Sequence, residues 1–312
     1  MTDRALNSLL KLTPIIESNI NMYGANKILC SISGGSDSDI LFDYCTKISK
    51  DINYVYFDTG LEYQATKNHI QYLMNRYDCE IQIKKPKISI PLAIRKYGYP
   101  FYSKTISDEI NRLQKHNFIF RDRSLTEDLQ NYDNVKQALR WFYNDFGENS
   151  RYNIAYIKGL KKFLIKNPPN FIISNRCCDI CKKSIAKKFI KENGIILNIT
   201  GVRKFEGGAR NKINNCYEQD SKGVYMSRPL LWFTNRDKIE YNKQYNIVNS
   251  DCYKIYGLKR TGCAGCPFGD YKKELEIVKK YEPKLYNACI NIFKKSYEYS
   301  DLFDQYRNSL IK

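Results

Sequence analysis

Residues 28–45 read ILCSISGGSDSDILFDYC, and the fold turns on how that stretch divides. An apolar-leaning run ends in Ser33-Gly34-Gly35 and passes directly into helically spaced apolar residues, the pattern of a strand that turns sharply into a helix. Such a junction aims unpaired backbone N–H groups along a helix dipole, so its natural guest is an anion, phosphate first. Gly34 and Gly35 allow the close approach or positive φ that a side chain obstructs, while Ser33, Ser36 and Ser38 offer hydroxyl donors. Asp37 cannot ligate phosphate by itself; its chemistry suits a backbone cap or a Mg²⁺ ion. The stretch carries neither G-x-x-x-x-G-K-[ST] nor G-x-G-x-x-G, so the two commonest phosphate loops are excluded.

Further apolar runs bounded by turn residues fall at 53–57 and 195–202, and helix-period segments follow near 38–50, 62–76 and 178–192. Strands alternating with helices predict parallel crossovers, hence an α/β fold: a Rossmann-like, doubly wound parallel sheet with helices on both faces. Residues 84–176 predict an insertion of helices and long loops, with helical patterns near 104–116 and 134–146, and 270–312 predicts one or two amphipathic helices. The expected organisation is a nucleotide-type domain over 1–250 carrying that insertion, with a C-terminal segment over 251–312 packed on it.

The 312 residues include 51 lysines and arginines against 33 acids, a formal net charge of +18. A bias of that size favours a polyanionic partner: RNA, DNA or a charged nucleotide. No apolar run approaches the roughly 18 residues of a membrane span, and the first twenty residues hold acids and no long apolar core. The expected location is therefore the cytoplasm, with no membrane partner.

Eleven cysteines in such a chain point to metal or redox chemistry rather than disulfides, and only two histidines, His69 and His116, are available, so a metal would sit on sulfur. KRTGCAGCPFG holds Cys263 and Cys266 between Gly262, Gly265 and Pro267. That tight turn aims two sulfurs at one point, as iron–sulfur and zinc sites require. Two more sulfurs must come from elsewhere, and NRCCDICKKS, with Cys177, Cys178 and Cys181, is the other dense source. Cys30, Cys45, Cys79, Cys216, Cys252 and Cys289 read as small buried hydrophobes.

Taken together, these stretches resemble a known family. SGGSDS resembles the S-G-G-x-D-S pyrophosphate loop of the adenine nucleotide α-hydrolases, whose fold is of the HUP type. YVYFDTGLEYQATKNHI resembles the D-T-G strand end of the phosphoadenosine phosphosulfate (PAPS) reductases, GVRKFEGGAR their G-x-R-x-x-E-x-x-x-R segment, and RPLLWFTNRDKIEYNKQYNI the R-P-L-x-x-W-T stretch after it. The resemblance implies an adenine nucleotide, ATP or APS/PAPS, at the carboxyl ends of the strands. Ser33, Gly34, Gly35, Ser36, Asp37 and Ser38 would surround its phosphates, with Asp58 and Thr59 beside the same crevice and Arg203 and Arg210 on phosphate or sulfate. Asp37 and Arg203 are the implied catalytic pair, with Mg²⁺ as the implied cation.

The cysteines resemble the Cys-Cys … Cys-x-x-Cys signature of adenosine phosphosulfate (APS) reductases that carry a [4Fe–4S] cluster: 84 residues separate Cys178 from Cys263, and Lys182 matches that family's lysine. Cys181 departs from it, standing where the family tends to have arginine. Two ligand sets follow, Cys177, Cys178, Cys263 and Cys266, or the same with Cys181 in place of Cys177, and zinc stays open as the alternative to the cluster. Sulfonucleotide reductases attack with a cysteine in an E-C-G-I-H-like tail, whereas this sequence closes on DLFDQYRNSLIK and its last cysteine, Cys289, lies in the helix-like NACINIFKK.

The expected activity is therefore the superfamily's other chemistry, ATP-dependent adenylation of an acceptor for sulfur transfer. The acceptor would be nucleic acid, tRNA or DNA, and the sulfur donor an enzyme such as a cysteine desulfurase. A sulfonucleotide reductase with a relocated thiol and a non-enzymatic nucleotide-binding accessory protein are the alternatives.

Overall fold

The structure is a computed structural model, and residues 1–310 are described here. The chain forms two compact units, each assembled from two separated stretches: Met1–Lys87 with Cys181–Ala264, and Ile88–Ile180 with Gly265–Lys312.

The first unit is built on six strands, β1 Ile28–Ile32, β2 Asn53–Phe57, β3 Gln82–Lys84, β4 Leu197–Ile199, β5 Tyr217–Gln219 and β6 Tyr225–Ser227. Their order is β3-β2-β1-β4-β6-β5, all neighbours parallel except the edge pair β5 and β6. Cys30 stands opposite both Tyr54 and Ile199. Ile28, Leu29 and Cys30 are fully buried, because a central parallel strand is covered on both faces and needs a continuous apolar run.

Helices α1 Asp3–Leu10, α2 Leu12–Tyr23, α3 Ser36–Thr46 and α4 Gln64–Tyr77 cover one face. Ala5, Leu9, Ile16, Leu41 and Leu73 meet Ile28, Cys30 and Ile32 there. Leu29, Val55 and Phe57 point the other way, against Phe189 of the helix Ser184–Asn193. The doubly wound parallel architecture expected from the pattern is what the chain adopts. There are two local differences, the first with a plain cause. The strand expected at 195–202 is regular only over 197–199, since Gly201 approaches the first turn of α3 so closely that a Cβ there would stand 3.3 Å from the Asp37 carbonyl group. The helix expected at 178–192 begins with a π-helical stretch, Asp179–Lys183, before Ser184–Asn193.

The second unit is helical around an aromatic core. Helices Lys104–Lys115, Lys136–Phe142, Leu160–Lys166 and Pro283–Ser309 bury Ile110, Phe142, Phe163 and Phe303 with Phe101. Among the described residues no helix is long and apolar enough to cross a membrane.

Candidate functional site

Strand order reverses direction between β1 and β4, and at such a switch point the loops leaving the carboxyl ends diverge and open a crevice. The two loops bordering it are SGGSDS after β1 and GVRKFE after β4. Gly34 has φ +67°, and a Cβ on it would stand 2.7 Å from Thr66 Cγ2 of α4; both the backbone sign and the contact demand glycine. Gly35 is the extended N-cap of α3 and makes no side-chain cap, so the helix's first N–H groups are left for other acceptors.

The loop's hydroxyls hold its shape. Ser38 Oγ donates to the Gly35 carbonyl at 2.7 Å, Ser33 Oγ donates to Ser38 Oγ at 3.2 Å, and the Gly35 N–H donates to Ser33 Oγ at 3.3 Å. The Ser36 N–H donates to the hydroxyl of Tyr253 at 3.3 Å, whose ionisation burial pushes upward, so it stays a neutral phenol.

Asp37 is the electrostatic centre. Arg203, only 5 % exposed, donates Nε to Asp37 Oδ2 at 2.8 Å and Nη1 to the Phe233 carbonyl at 3.3 Å and Asn235 Oδ1 at 3.1 Å. Lys238 Nζ donates to Ser36 Oγ at 2.9 Å and lies 3.4 Å from Asp37 Oδ1. That oxygen is buried and accepts no hydrogen bond. A hard anionic oxygen with spare lone pairs beside an anion cradle is the donor type Mg²⁺ selects, so Asp37 fits the implied cation. A partly buried carboxylate bracketed by two cations is also a ready exchange site, since an incoming phosphate can take over the cations that Asp37 now neutralises.

Arg210 is placed differently: its side chain is about half exposed and pairs with Glu206, four residues back, at 3.1 Å. The structure brings Arg203 to Asp37 and leaves Arg210 on Glu206.

Asp58 and Thr59 follow β2. The Gly60 N–H donates to Asp58 Oδ1 at 2.8 Å, and Thr59 donates to Glu62 through its N–H at 3.0 Å and its hydroxyl at 2.8 Å. Burial, then Asp58, drives the Glu62 carboxyl upward; Asp58, which burial alone would raise, is held low by Glu62 and the Gly60 N–H. The two carboxyls therefore titrate apart, Asp58 giving up its proton before Glu62 as pH rises.

Cys263 packs against this loop from a separate segment, its Sγ 3.4 Å from Thr59 Oγ1, with an antiparallel bridge to Glu62 and the Ala264 N–H donating to the Leu61 carbonyl at 2.8 Å. In the other unit, Gly265 has φ +61° and its carbonyl accepts from the Tyr297 hydroxyl at 2.5 Å, fixing the turn before Cys266. Cys177 and Cys178 end the short helix Arg176–Cys178, and Cys181 lies in the π-helical stretch. Each unit thus carries part of the thiol set, and among the described residues no three Cys, His, Asp or Glu side chains are gathered as a single metal ion requires. The fit to an iron–sulfur group is one of donor chemistry: thiolates are the ligands such clusters take.

Sequence reasoning missed Lys238, Tyr253, Glu62 and a buried pair under the loop. Asp39, fully buried in the first turn of α3, accepts from Asn249 Nδ2 at 3.0 Å and faces His69 Nε2 at 3.0 Å. Two carboxylates in one helical first turn, Asp37 and Asp39, were the available signal: helical spacing turns one outward to the crevice and the other inward.

A phosphoadenosine phosphosulfate reductase domain model matches residues 27–143 and 142–268. An uncharacterized protein of Methanocaldococcus jannaschii is 24% identical over 287 residues, 88% of this chain and 43% of that protein. Adenosine 5'-phosphosulfate reductase 2 of Bacillus subtilis is 26% identical over 182 residues, 51% of this chain and 75% of that one. The chain spans less than half the length of the first two curated relatives it matches. Among solved structures, the PAPS reductase of Candida auris in its phosphate complex is 13% identical with a TM-score of 0.45, covering 80% of this chain and 87% of that one.

Proposed function

The chain belongs to the phosphoadenosine phosphosulfate reductase family, and from that premise we propose that it is an ATP-using enzyme that adenylates an acceptor, probed best as nucleic acid, for sulfur transfer. The observation that carries this reading is Asp37 bracketed by Arg203 and Lys238 at the mouth of a glycine loop. That arrangement supports a triphosphate with its cation, whose departing pyrophosphate needs several positive partners at once.

In this reading the N–H groups of residues 34–38 and the dipole of α3 hold the phosphate oxygens. Arg203 and Lys238 turn from Asp37 to the pyrophosphate, and Asp37 would hold Mg²⁺, which would supply positive charge beside the phosphates. The acceptor's carbonyl oxygen attacks the α-phosphorus, the bond to pyrophosphate breaks, and the adenylated carbon is then open to a sulfur nucleophile that expels AMP. Asp58 and Thr59 lie beside the same crevice and orient the nucleoside. Cys177, Cys178, Cys263 and Cys266, with Cys181 as the alternative to Cys177, are proposed to hold a [4Fe–4S] cluster, which would supply a site for incoming sulfide; zinc on the same thiols is the competing assignment.

Two measurements test this. Pyrophosphate exchange into ATP should depend on a nucleic-acid acceptor and vanish in Asp37→Ala while metal content is unchanged. Anaerobically purified protein should carry about four iron and four sulfide per chain, lost in Cys263→Ser; retained iron in that variant would refute the ligand set, and one zinc without sulfide would replace the cluster with a structural clasp. The likeness to the Bacillus subtilis APS reductase favours one second reading, reduction of a sulfonucleotide, which thioredoxin-dependent sulfite release from APS or PAPS would reveal.

A further inference from the structure

On the first unit, away from the phosphate loop, α1 and α2 face the β5–β6 edge across two adjoining cavities of about 510 and 410 Å³ that share Ile15 and Tyr217. Cations and rings line the first cavity, and rings without cations the second. The Arg4 guanidinium lies 3.4 Å over the Trp232 ring, Lys204 Nζ lies 5.3 Å from the same ring, and the exposed Lys11 borders the first cavity. Tyr217 and Tyr225 are stacked, 5.3 Å between centroids and 7° from parallel, and Tyr23 stands exposed in the second. Asp3, Glu17 and Glu218 line neither cavity, and Glu218 is paired with Arg228 at 2.7 Å.

A run of flat rings with cations clustered at its Trp232 end matches a strand whose bases are unstacked and whose phosphates need neutralising. We propose that this groove binds an unpaired segment of RNA, which, resting on the adenylation reading above, is the acceptor strand. RNA is the occupant because its loops present splayed bases as their standing state, whereas DNA does so only once its duplex is opened. A net charge of +18 supplies the long-range attraction.

The groove and the phosphate loop share a wall. Trp232 faces the cavity, while the next residue's carbonyl and the Asn235 side chain hold Arg203, the partner of Asp37. Lys204, beside Arg203 in the chain, reaches the other side of that wall at Trp232. A strand seated on Trp232 therefore bears on the segment that orients the guanidinium.

Trp232 is one of only two tryptophans in the chain, and the other, Trp141, is buried at 4 % exposure. Titrating the full chain with a single-stranded oligouridine of about twelve nucleotides should quench its fluorescence. The quench should persist in Asp37→Ala and disappear in Trp232→Phe. By anisotropy of a labelled strand, Trp232→Ala and Arg4→Glu should each weaken binding about tenfold or more, and Lys11→Ala should flatten the log-log salt dependence by about 0.7.

Wild-type affinity in Arg4→Glu, an exposed substitution that leaves the fold alone, would overturn the groove. So would absence of any quench in the wild type, or tighter binding of duplex RNA or of the matching DNA strand. Pyrophosphate exchange separates the two ideas: RNA binding lost in the groove variants but no exchange in the wild type refutes adenylation and leaves the groove standing, whereas RNA-dependent exchange indifferent to those variants refutes the groove alone.

Discussion

Gly34 and Arg203 concentrate the site's demands on single residues. Gly34→Ala must hold a non-glycine residue at φ +67° with its Cβ against Thr66, a strain of about 1–3 kcal/mol that displaces the N–H groups proposed to hold phosphate. The expected outcome is a lowered Tm and an ATP affinity reduced about tenfold or more by calorimetry, the cost of one lost charge-assisted hydrogen bond. Adding Thr66→Ser, which removes the crowding methyl, should recover part of the stability but not all, because the φ penalty stays; full affinity in the single variant would mean the loop is not a phosphate cradle. Arg203→Met removes the buried partner of Asp37 and strands the Phe233 carbonyl. Breaking a buried pair from one side costs about 3–5 kcal/mol, so both Tm and exchange activity should fall. Combining it with Asp37→Ala should cost less than the two losses added, as residues in one network couple.

At the scale of elements, legibility follows burial. β1 and β2 declared themselves because central parallel strands need unbroken apolar runs, and the SGGSDS turn because its backbone needs glycine. β3, β5 and β6 have three residues each, and β5 is wholly exposed with the sequence YEQ, too short and polar for any periodicity to register. Lys238 and Tyr253 were illegible as site residues for another reason: what places them at α3 is how helix Asn235–Gln244 and residues 250–253 return to it, a long-range property absent from local spacing.

Helix Lys104–Lys115 was legible, but its Glu109 was not. That residue is 6 % exposed, accepts from Gln137 Nε2 at 3.4 Å, and leaves Oε2 without a partner. Burial pushes its carboxyl above the ordinary range. A carboxyl raised in the folded state favours folding while protonated and opposes it once charged, so its cost appears as pH climbs through the folded value. Glu109→Gln should raise Tm at pH 7, and the gain should fade below the ordinary glutamate value of about 4.3. A gain independent of pH would mean that shape, not charge, limits the site.

At the scale of the molecule, the interleaving of the two units was hidden because neither insertion nor C-terminal segment advertises its partner. Helices from residues 104–166 and the helix Pro283–Ser309 close one aromatic core: Phe303 lies 4.9 Å from Phe163, 6.0 Å from Phe101 and 5.7 Å from Tyr102, ring centre to ring centre. The first unit keeps a separate core around β1. Two cores on one chain imply two cooperative blocks, each opening at its own free energy. Phe303→Ala removes a ring that is 1 % exposed, a loss of about 3–5 kcal/mol, and its effect should stay within its own block. By amide hydrogen exchange, Lys104–Lys115 and Leu160–Lys166 should lose protection while Ile28–Ile32 and Asn53–Phe57 keep theirs, and ATP affinity should hold, since every residue placed at the phosphate loop belongs to the other unit. Equal loss of protection in β1 would show instead that the units open together, and nucleotide binding should then fall with Phe303 as steeply as it does with Gly34.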